Sequence, residues 1–573
     1  MTVTIKAIRP GSELLARSPG KSSLLPKVIS LVVFLVVTVT FSMSVRSQGA
    51  VLPIAKNAAE LWAGYDPTAV PLDIQVVEQS EQDGVRLQKV YFTSEVWEGV
   101  PVRIYAIYGA PFGSSGLPAV LHIHGGGQTA SLDWVLYWTR RGYACATYDY
   151  TGETPGRQLT AKWGKVVNSR RYSYPAEEDP KVDRDYHWIV AARRAITFLA
   201  SCPEVDQSRL GIFGISFGGQ ITWRVAGTDS RVRCAVPIYL AGHATGLGLD
   251  AKAETILEKF YDPDTYAPMI KCPVLYLSGS NDFAGLIDHS DKTLRLLKAD
   301  WRVAYSCNYN HHLEPDVGRD LPMWMDTHLK KCPAWPKTPQ LQMDLAPAGM
   351  PRAKITADQP SEVVDIRVHY NLDTGAHHTV RFWRTVTSTR AKGEDYWLAP
   401  IPVLDDRVVR AYCEVHYKSG AVLCSLLSQF VPSSLGKARM TLRPTSLIDD
   451  FDAGCVSDWF HDLSYTDPNL DLFMLRPVVD GPDKGWAIGG NPKVPHNRRL
   501  VATSKVGDPA CSGKGYGGLS FVFRTQTPPD LKVLLIRDSG GVGQREYSCN
   551  PKTQVNGQWE RITIRASDFK DKD

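Results

Sequence analysis

At 573 residues the chain is longer than one hydrophobic core organises, so several domains are expected. Its 43% hydrophobic and 22% charged residues are those of a globular protein and exclude wholesale disorder. The 65 Lys and Arg against 60 Asp and Glu leave a net charge of +5, and no dense basic stripe points to nucleic acid.

The N-terminus reads as an address. Lys6, Arg9, Arg17, Lys21 and Lys27 precede the apolar run Val28–Phe41, and the small residues Ser42, Ser44, Ser47, Gly49 and Ala50 follow. That order is the order of an export signal within residues 1–50. The apolar run is short against the ~20 residues of a membrane span. Cleavage within 42–50 is therefore expected, with an uncleaved anchor through residues 28–44 as the alternative. Either way the protein is expected outside the cytoplasm: secreted, periplasmic or at the cell surface. Eleven cysteines cannot all pair, and none has C-x-x-C spacing, so metal or haem attachment is not expected. Cys413 and Cys424 flank the turn Tyr417–Gly420, which leaves two readings: a cross-strand disulfide or two buried thiols.

After a linker from residue 51, β-branched and aromatic stretches at Ile74–Glu78, Val85–Thr93 and Val102–Ile107 predict an antiparallel start. Strands and helices then alternate. Strands are expected at Pro118–His124, Tyr143–Tyr150, Leu210–Ile215, Ala235–Leu240, Val274–Ser278 and Val303–Ser306. Helices are expected at Asp183–Ser201, Gln220–Ala226, Asp291–Lys298 and Leu321–Lys330. This is the pattern of a doubly wound, mostly parallel α/β sheet over residues 51–335. Pro333, Pro336, Pro339 and Pro347 then mark a connection. Alternating stretches Val363–Tyr370, Thr379–Thr385, Asp395–Ala399, Val408–Tyr417 and Ala421–Phe430 predict a β-sandwich over 345–440. A second all-β region fills 445–573; its last residues stop where one more strand is expected, so a truncated C-terminus is anticipated.

Three motifs carry chemistry. Gly214-Ile-Ser216-Phe217-Gly218 is a G-x-S-x-G sequence between a strand and a helix. A serine at the tip of such a turn exposes its Oγ above the sheet. A hydroxyl is a weak nucleophile and needs a base that is itself oriented, in the order Ser, Asp, His on this scaffold. Asp282 ends the strand Pro273–Ser278 and its loop, and His311 and His312 follow the strand Val303–Ser306. Both lie at strand C-terminal ends, where open α/β sheets place ligands. Ser216, Asp282 and His311 are the expected triad, with His312 as the alternative base. His122-Ile-His124-Gly125-Gly126-Gly127 supplies a glycine loop for the oxyanion hole, in which Gly125, Gly126, Gly127 and the N–H of Phe217 are the candidate donors. His122 and His124, spaced i and i+2 on a strand, have no evident third ligand for zinc, and no cofactor is expected. Trp163, Tyr172 and Tyr174, between a strand and a helix above the site, are candidates to line the substrate pocket or simply pack their own loop.

The run Ala192–Asp206, then Ser208-Arg-Leu-Gly-Ile-Phe-Gly-Ile-Ser216-Phe-Gly-Gly219, with Gly279-Ser-Asn-Asp282 and Asn310-His311, resembles the acetyl xylan esterase and cephalosporin C deacetylase branch of the α/β hydrolases. Dienelactone hydrolases and the prolyl oligopeptidase catalytic domain are also similar. The resemblance covers about residues 85–330. It implies a serine esterase acting on carboxylic, chiefly acetyl, esters of small molecules or polysaccharide. The chain departs from that branch in Phe217, where glutamine is common, and in the HGGG loop, where a tyrosine-bearing loop is more usual. The C-terminal region resembles jelly-roll carbohydrate-binding modules, in which Phe451, Trp459, Trp486 and Trp559 would stack on sugars or fill the core. Two alternatives stand beside the esterase: a prolyl oligopeptidase-type serine peptidase, and a carbohydrate-binding protein whose hydrolase fold is vestigial.

Overall fold

β1 (Gln75–Gln82), exposed along its length, and the apolar-rich β2 (Val85–Trp97) and β3 (Val100–Pro111) form an antiparallel meander. The computed structural model describes residues 54–151, 179–242, 259–375 and 377–451, the backbone of 2–7, and parts of 458–571. The largely buried stretches that follow form β4 (Leu117–Ile123), β5 (Ala144–Asp149), β6 (Val205–Ile215), β7 (Val232–Ile238), β8 (Val274–Gly279) and β9 (Trp301–Ser306). The nine strands lie in the order β9-β8-β7-β6-β4-β5-β3-β2-β1, and β4 to β9 are mutually parallel. Where they are buried on both faces, as over Leu210–Ile215 of β6, these strands are continuous apolar runs, the usual signature of parallel strands.

Helices cover both faces. Helices α2 (Arg184–Ser201), α3 (Phe217–Thr228) and α4 (Ile287–Leu296) pack Ile189, Ile196, Trp223 and Leu294 into one core. On the other face α1 (Leu132–Thr139) and α5 (Pro315–Lys330) contribute Val135, Trp138, Leu321, Trp324 and Met325. The chain runs from β4 to β5 on one side and then crosses to β6 on the other side of β4. The strand order reverses at β4, which opens a crevice at the C-terminal ends of β4 and β6. This is the doubly wound α/β-hydrolase arrangement with one extra edge strand, β1.

The second domain is antiparallel throughout. One sheet orders β10 (Gln340–Leu345), β11 (Pro351–Thr356), β15 (Trp397–Pro400) and β14 (Thr389–Arg390) as β10-β11-β15-β14. The other orders β13 (Arg384–Thr387), β12 (Val363–Leu372), β16 (Val409–Tyr417) and β17 (Val422–Cys424), with β18 (Ser428–Phe430) also on β16. Its apolar residues are continuous with both hydrolase cores: Trp383, Tyr412 and Cys424 join the first, Val368 and Val415 the second. Cys413 and Cys424 are free thiols, not a disulfide. Glu414, not Cys413, stands opposite Cys424, so the two sulfurs go into different cores.

In the C-terminal region the strands Leu500–Thr503, Thr2–Ala7, Leu531–Arg537, Arg545–Cys549 and Lys570–Asp571 form one antiparallel sheet, and Gly518–Phe523 pairs with Glu560–Arg565. Leu531, Val533, Ile562 and Ile564 form the core of this region. Thr2–Ala7 pairs with both 500–503 and 531–537. The remainder of the expected export signal lies outside the described residues. Among the described residues no helix is long and apolar enough to cross a membrane.

Candidate active site

Ser216 sits at the junction of β6 and α3 with φ 58° and ψ −120°, a conformation that L-residues adopt at a cost of about 1–3 kcal/mol. The turn holds it there. The Ser216 N–H donates to Ile238 O at 3.0 Å, tying it to the end of β7. The glycines on either side leave no room for a side chain. A Cβ on Gly214 would lie 2.1 Å from Gly218 O, and one on Gly218 would lie 2.0 Å from Ile123 O. Both obstacles are backbone and cannot rotate away. Gly218→Ala is therefore expected to destabilise the domain by at least about 3 kcal/mol, read as a fall in the thermal or urea midpoint; an unchanged midpoint would refute this account of the turn. A serine at a helix N-cap ordinarily spends its hydroxyl on the first turn, but Ser216 makes no side-chain cap bond. Its Oγ is left for other work, and so is the amide of Phe217.

The loop after β8 carries Asp282, fully buried. Its Oδ1 accepts the N–H groups of Ala284 and Gly285, each at 2.7 Å, and its Oδ2 receives His311 Nδ1 at 2.6 Å. The fold thus brings His311, of the two candidate histidines, onto the Asp282 carboxylate. The two loops are knitted together. Asn281 N–H donates to Tyr309 O, Asn308 N–H to Ser280 Oγ, and Phe283 N–H to Asn310 Oδ1. The His311 ring lies 4.0 Å from that of Tyr239, centroid to centroid. Tyr239 directly follows Ile238, the residue that anchors Ser216, so the imidazole stands beside the serine turn. Tyr239 and Leu240 have positive φ of 66° and 54°, unusual for non-glycine residues and placed where the chain leaves β7 under the histidine.

On the other side of Ser216, the Gly125–Gln128 segment is a tight turn closed by Gln128 N–H to Gly125 O. The Gly125 N–H is itself committed to Gln128 Oε1 at 3.0 Å. Of the candidate donors this glycine therefore shapes the turn, while Gly126 lies against Phe217 and Gly127, with φ 69°, faces open space. A Cβ on Gly126 would lie 2.6 Å from the Phe217 ring. His122 Nδ1 meets Thr147 Oγ1 at 3.0 Å, inside the core. His124 braces the turn: its ring stacks on Tyr150 at 4.1 Å, its Nδ1 meets Gly125 O, and Tyr150 Oη–H donates to its carbonyl. Among the described residues no group of three His, Cys, Asp or Glu is placed to hold a metal. Trp163, Tyr172 and Tyr174 lie outside the described residues. Sequence reasoning missed Phe283, which is 57% exposed although its ring lies 4.7 Å from that of His311. An aromatic one residue after the candidate acid was the available signal.

In the C-terminal region Phe451 and Trp459 pack on each other at 5.4 Å, and Trp459 Nε1 donates to Asp449 Oδ2. Trp559 lies under the Arg524 guanidinium at 4.6 Å. These rings are partly buried and engaged by neighbours. Trp486 lies outside the described residues.

Residues 66–244 match the model of the acetyl xylan esterase family. That stretch includes the glycine loop and Ser216, and stops short of Asp282 and His311. The match supports carboxylic ester hydrolysis as the class of chemistry. No curated protein matches the sequence. Solved structures similar to this chain include an acetyl xylan esterase from Paenibacillus sp. R4, 20% identical, with TM-score 0.39, covering 46% of this chain and 91% of that one. Acetyl xylan esterase 1 from Thermoanaerobacterium sp. JW/SL YS485 is 20% identical, with TM-score 0.40, covering 48% and 95%. A glucuronoyl esterase from Solibacter usitatus is 14% identical, with TM-score 0.33, covering 47% and 91%. The fold assignment rests on the strand order and not on these scores.

Proposed function

We propose that the protein is an exported serine esterase that removes acyl groups, chiefly acetyl, through an acyl-serine intermediate. The observation that carries the proposal is the Asp282–His311 pair at 2.6 Å on loops beside a strained serine whose hydroxyl caps nothing. His311, with Nδ1–H on Asp282, presents Nε2 as the base that takes the Ser216 proton as Oγ attacks the ester carbonyl. The Phe217 N–H and the turn at Gly126–Gly127 receive the oxyanion of the tetrahedral intermediate, where one lost donor ordinarily costs ~10²–10³ in rate. His311 then gives its proton to the departing alkoxide, and by deprotonating water it releases the acid and restores Ser216.

The family match over 66–244 and the expected export together favour acylated polysaccharide as substrate, with acetylated xylan the first to try. Turnover of p-nitrophenyl acetate and acetylated xylan is expected, with no cleavage of a proline-specific peptide substrate. A fluorophosphonate should add covalently to Ser216, located by peptide mass mapping. Peptide cleavage in place of ester cleavage would move the protein to the peptidase branch. A folded protein that is neither labelled nor active would leave the binding-protein reading.

A further inference from the structure

The second domain does more than sit beside the hydrolase: one of its segments grips both loops that carry the acid and the base. From the acid loop, Asn281 Nδ2 donates to Arg381 O at 2.6 Å and Thr379 O at 3.3 Å. His378 Nε2 meets the backbone carbonyl of Asp282 at 2.9 Å. From the histidine loop, Asn308 exchanges two hydrogen bonds with the backbone of Trp383: Nδ2 to its carbonyl at 3.0 Å, and Oδ1 from its N–H at 2.8 Å. Just beyond the acid loop, Asp288 binds the guanidinium of Arg381 and that of Arg410, the latter at 3.1 Å. The contacts to the two loops are buried: Asn281, Asp282, Asn308, His378 and Trp383 are 0–5% exposed. Asn308 also has φ 62°, a left-handed conformation that asparagine tolerates better than most residues.

We infer that the segment 377–384 is a structural part of the catalytic unit, and that His378 is a positioning residue that holds Asp282, and through it His311, in register with Ser216. This rests on the acyl-serine reading above. The carbonyl of Asp282 belongs to a fully buried residue and needs a donor, and a neutral imidazole supplies one N–H there. Burial, and then His377 and Arg381, push the His378 imidazole down to about 4, so the ring stays neutral at working pH. The segment cannot be a regular strand because its backbone groups are committed to the two loops. It is a single turn at His378–Val380, followed by strand only from Arg384.

The test compares His378→Leu with His378→Gln in the full chain; glutamine places an amide N–H where Nε2 stood. His378→Leu is expected to lower kcat on p-nitrophenyl acetate by about 10- to 100-fold with KM within threefold, the scale of a small misplacement transmitted to the reacting groups. His378→Gln should recover kcat to within about threefold of wild type. If His378→Leu does not fold, Asn308→Ala replaces it, with the same loss in kcat and steady KM expected. Equal kcat in wild type and His378→Leu, or a loss confined to KM, overturns the inference. So does a His378→Gln variant as impaired as His378→Leu. Fluorophosphonate labelling of the wild type separates this from the parent reading: a labelled, active wild type with an indifferent His378→Leu sinks only the positioning role, whereas an unlabelled, inactive wild type sinks both.

Discussion

Replacing Ser216 by alanine is expected to lower kcat for ester hydrolysis by about 10⁵- to 10⁶-fold, because the remaining members of such a unit have no nucleophile to act on. Little else should change. The Ser216 hydroxyl makes no cap bond to α3, and its backbone conformation is fixed by the Ile238 bond and by the glycines around it. Alanine suffers the same strain as serine at φ 58° and inherits the same turn. KM and the melting temperature are therefore expected to stay close to wild type, which separates this variant from Gly218→Ala, where the unfolding midpoint falls. Rates on p-nitrophenyl acetate beside thermal melts of both proteins make the check. A purified alanine variant keeping more than about 1% of wild-type kcat would mean that another group performs the attack.

Where the sequence was informative and where it was silent follows from what kind of interaction fixed each part. Continuous apolar runs such as Leu210–Ile215 and Val274–Ser278 can only be buried parallel strands once helices alternate with them, so the sheet and its crevice were legible. The serine turn was legible because backbone crowding demands glycine at fixed spacing, and the demand shows at Gly214 and Gly218. The order of Asp282 and His311 followed from strand ends. Local pattern failed where long-range contacts decide. Thr379–Thr385 alternates like a strand, yet its backbone is turned to meet Asn281 and Asn308, about 75 to 100 residues away in sequence. The helix expected from Leu321 begins at Pro315, because proline at the first turn costs no hydrogen bond and the apolar Val317 already faces the core. Leu132–Thr139 escaped notice as a helix because tryptophan and tyrosine suit either state; the Ser131 side chain accepting from Trp134 N–H marks its start. The Gly125 N–H looked available for the oxyanion until Gln128, three residues on, was seen to occupy it.

Asp282→Asn is expected to lower kcat by about 10⁴-fold while preserving the fold, and the geometry says why so small a change has that effect. Oδ1 of Asp282 accepts two backbone N–H groups, and Oδ2 accepts from His311. An asparagine in this loop has one oxygen and one NH₂. Two donors at 2.7 Å claim the oxygen, since turning the amide over would set its NH₂ against both Ala284 N–H and Gly285 N–H. The NH₂ therefore faces His311 Nδ1 and requires that nitrogen to accept. The proton moves to Nε2, which is the atom that must receive the proton from Ser216, so the base is held in the tautomer that cannot serve. The loop keeps its two backbone bonds, and the grip of His378 on the carbonyl of residue 282 is untouched. Circular dichroism and the melting temperature should accordingly remain near wild type while the rate collapses. The same construction predicts that Asp282→Ala, which frees the tautomer but leaves Ala284 and Gly285 N–H unpaired in a buried site, is the less stable of the two variants. Comparable stability of the alanine and asparagine variants, or an asparagine variant within tenfold of wild-type kcat, would show that this carboxylate does not set the state of His311.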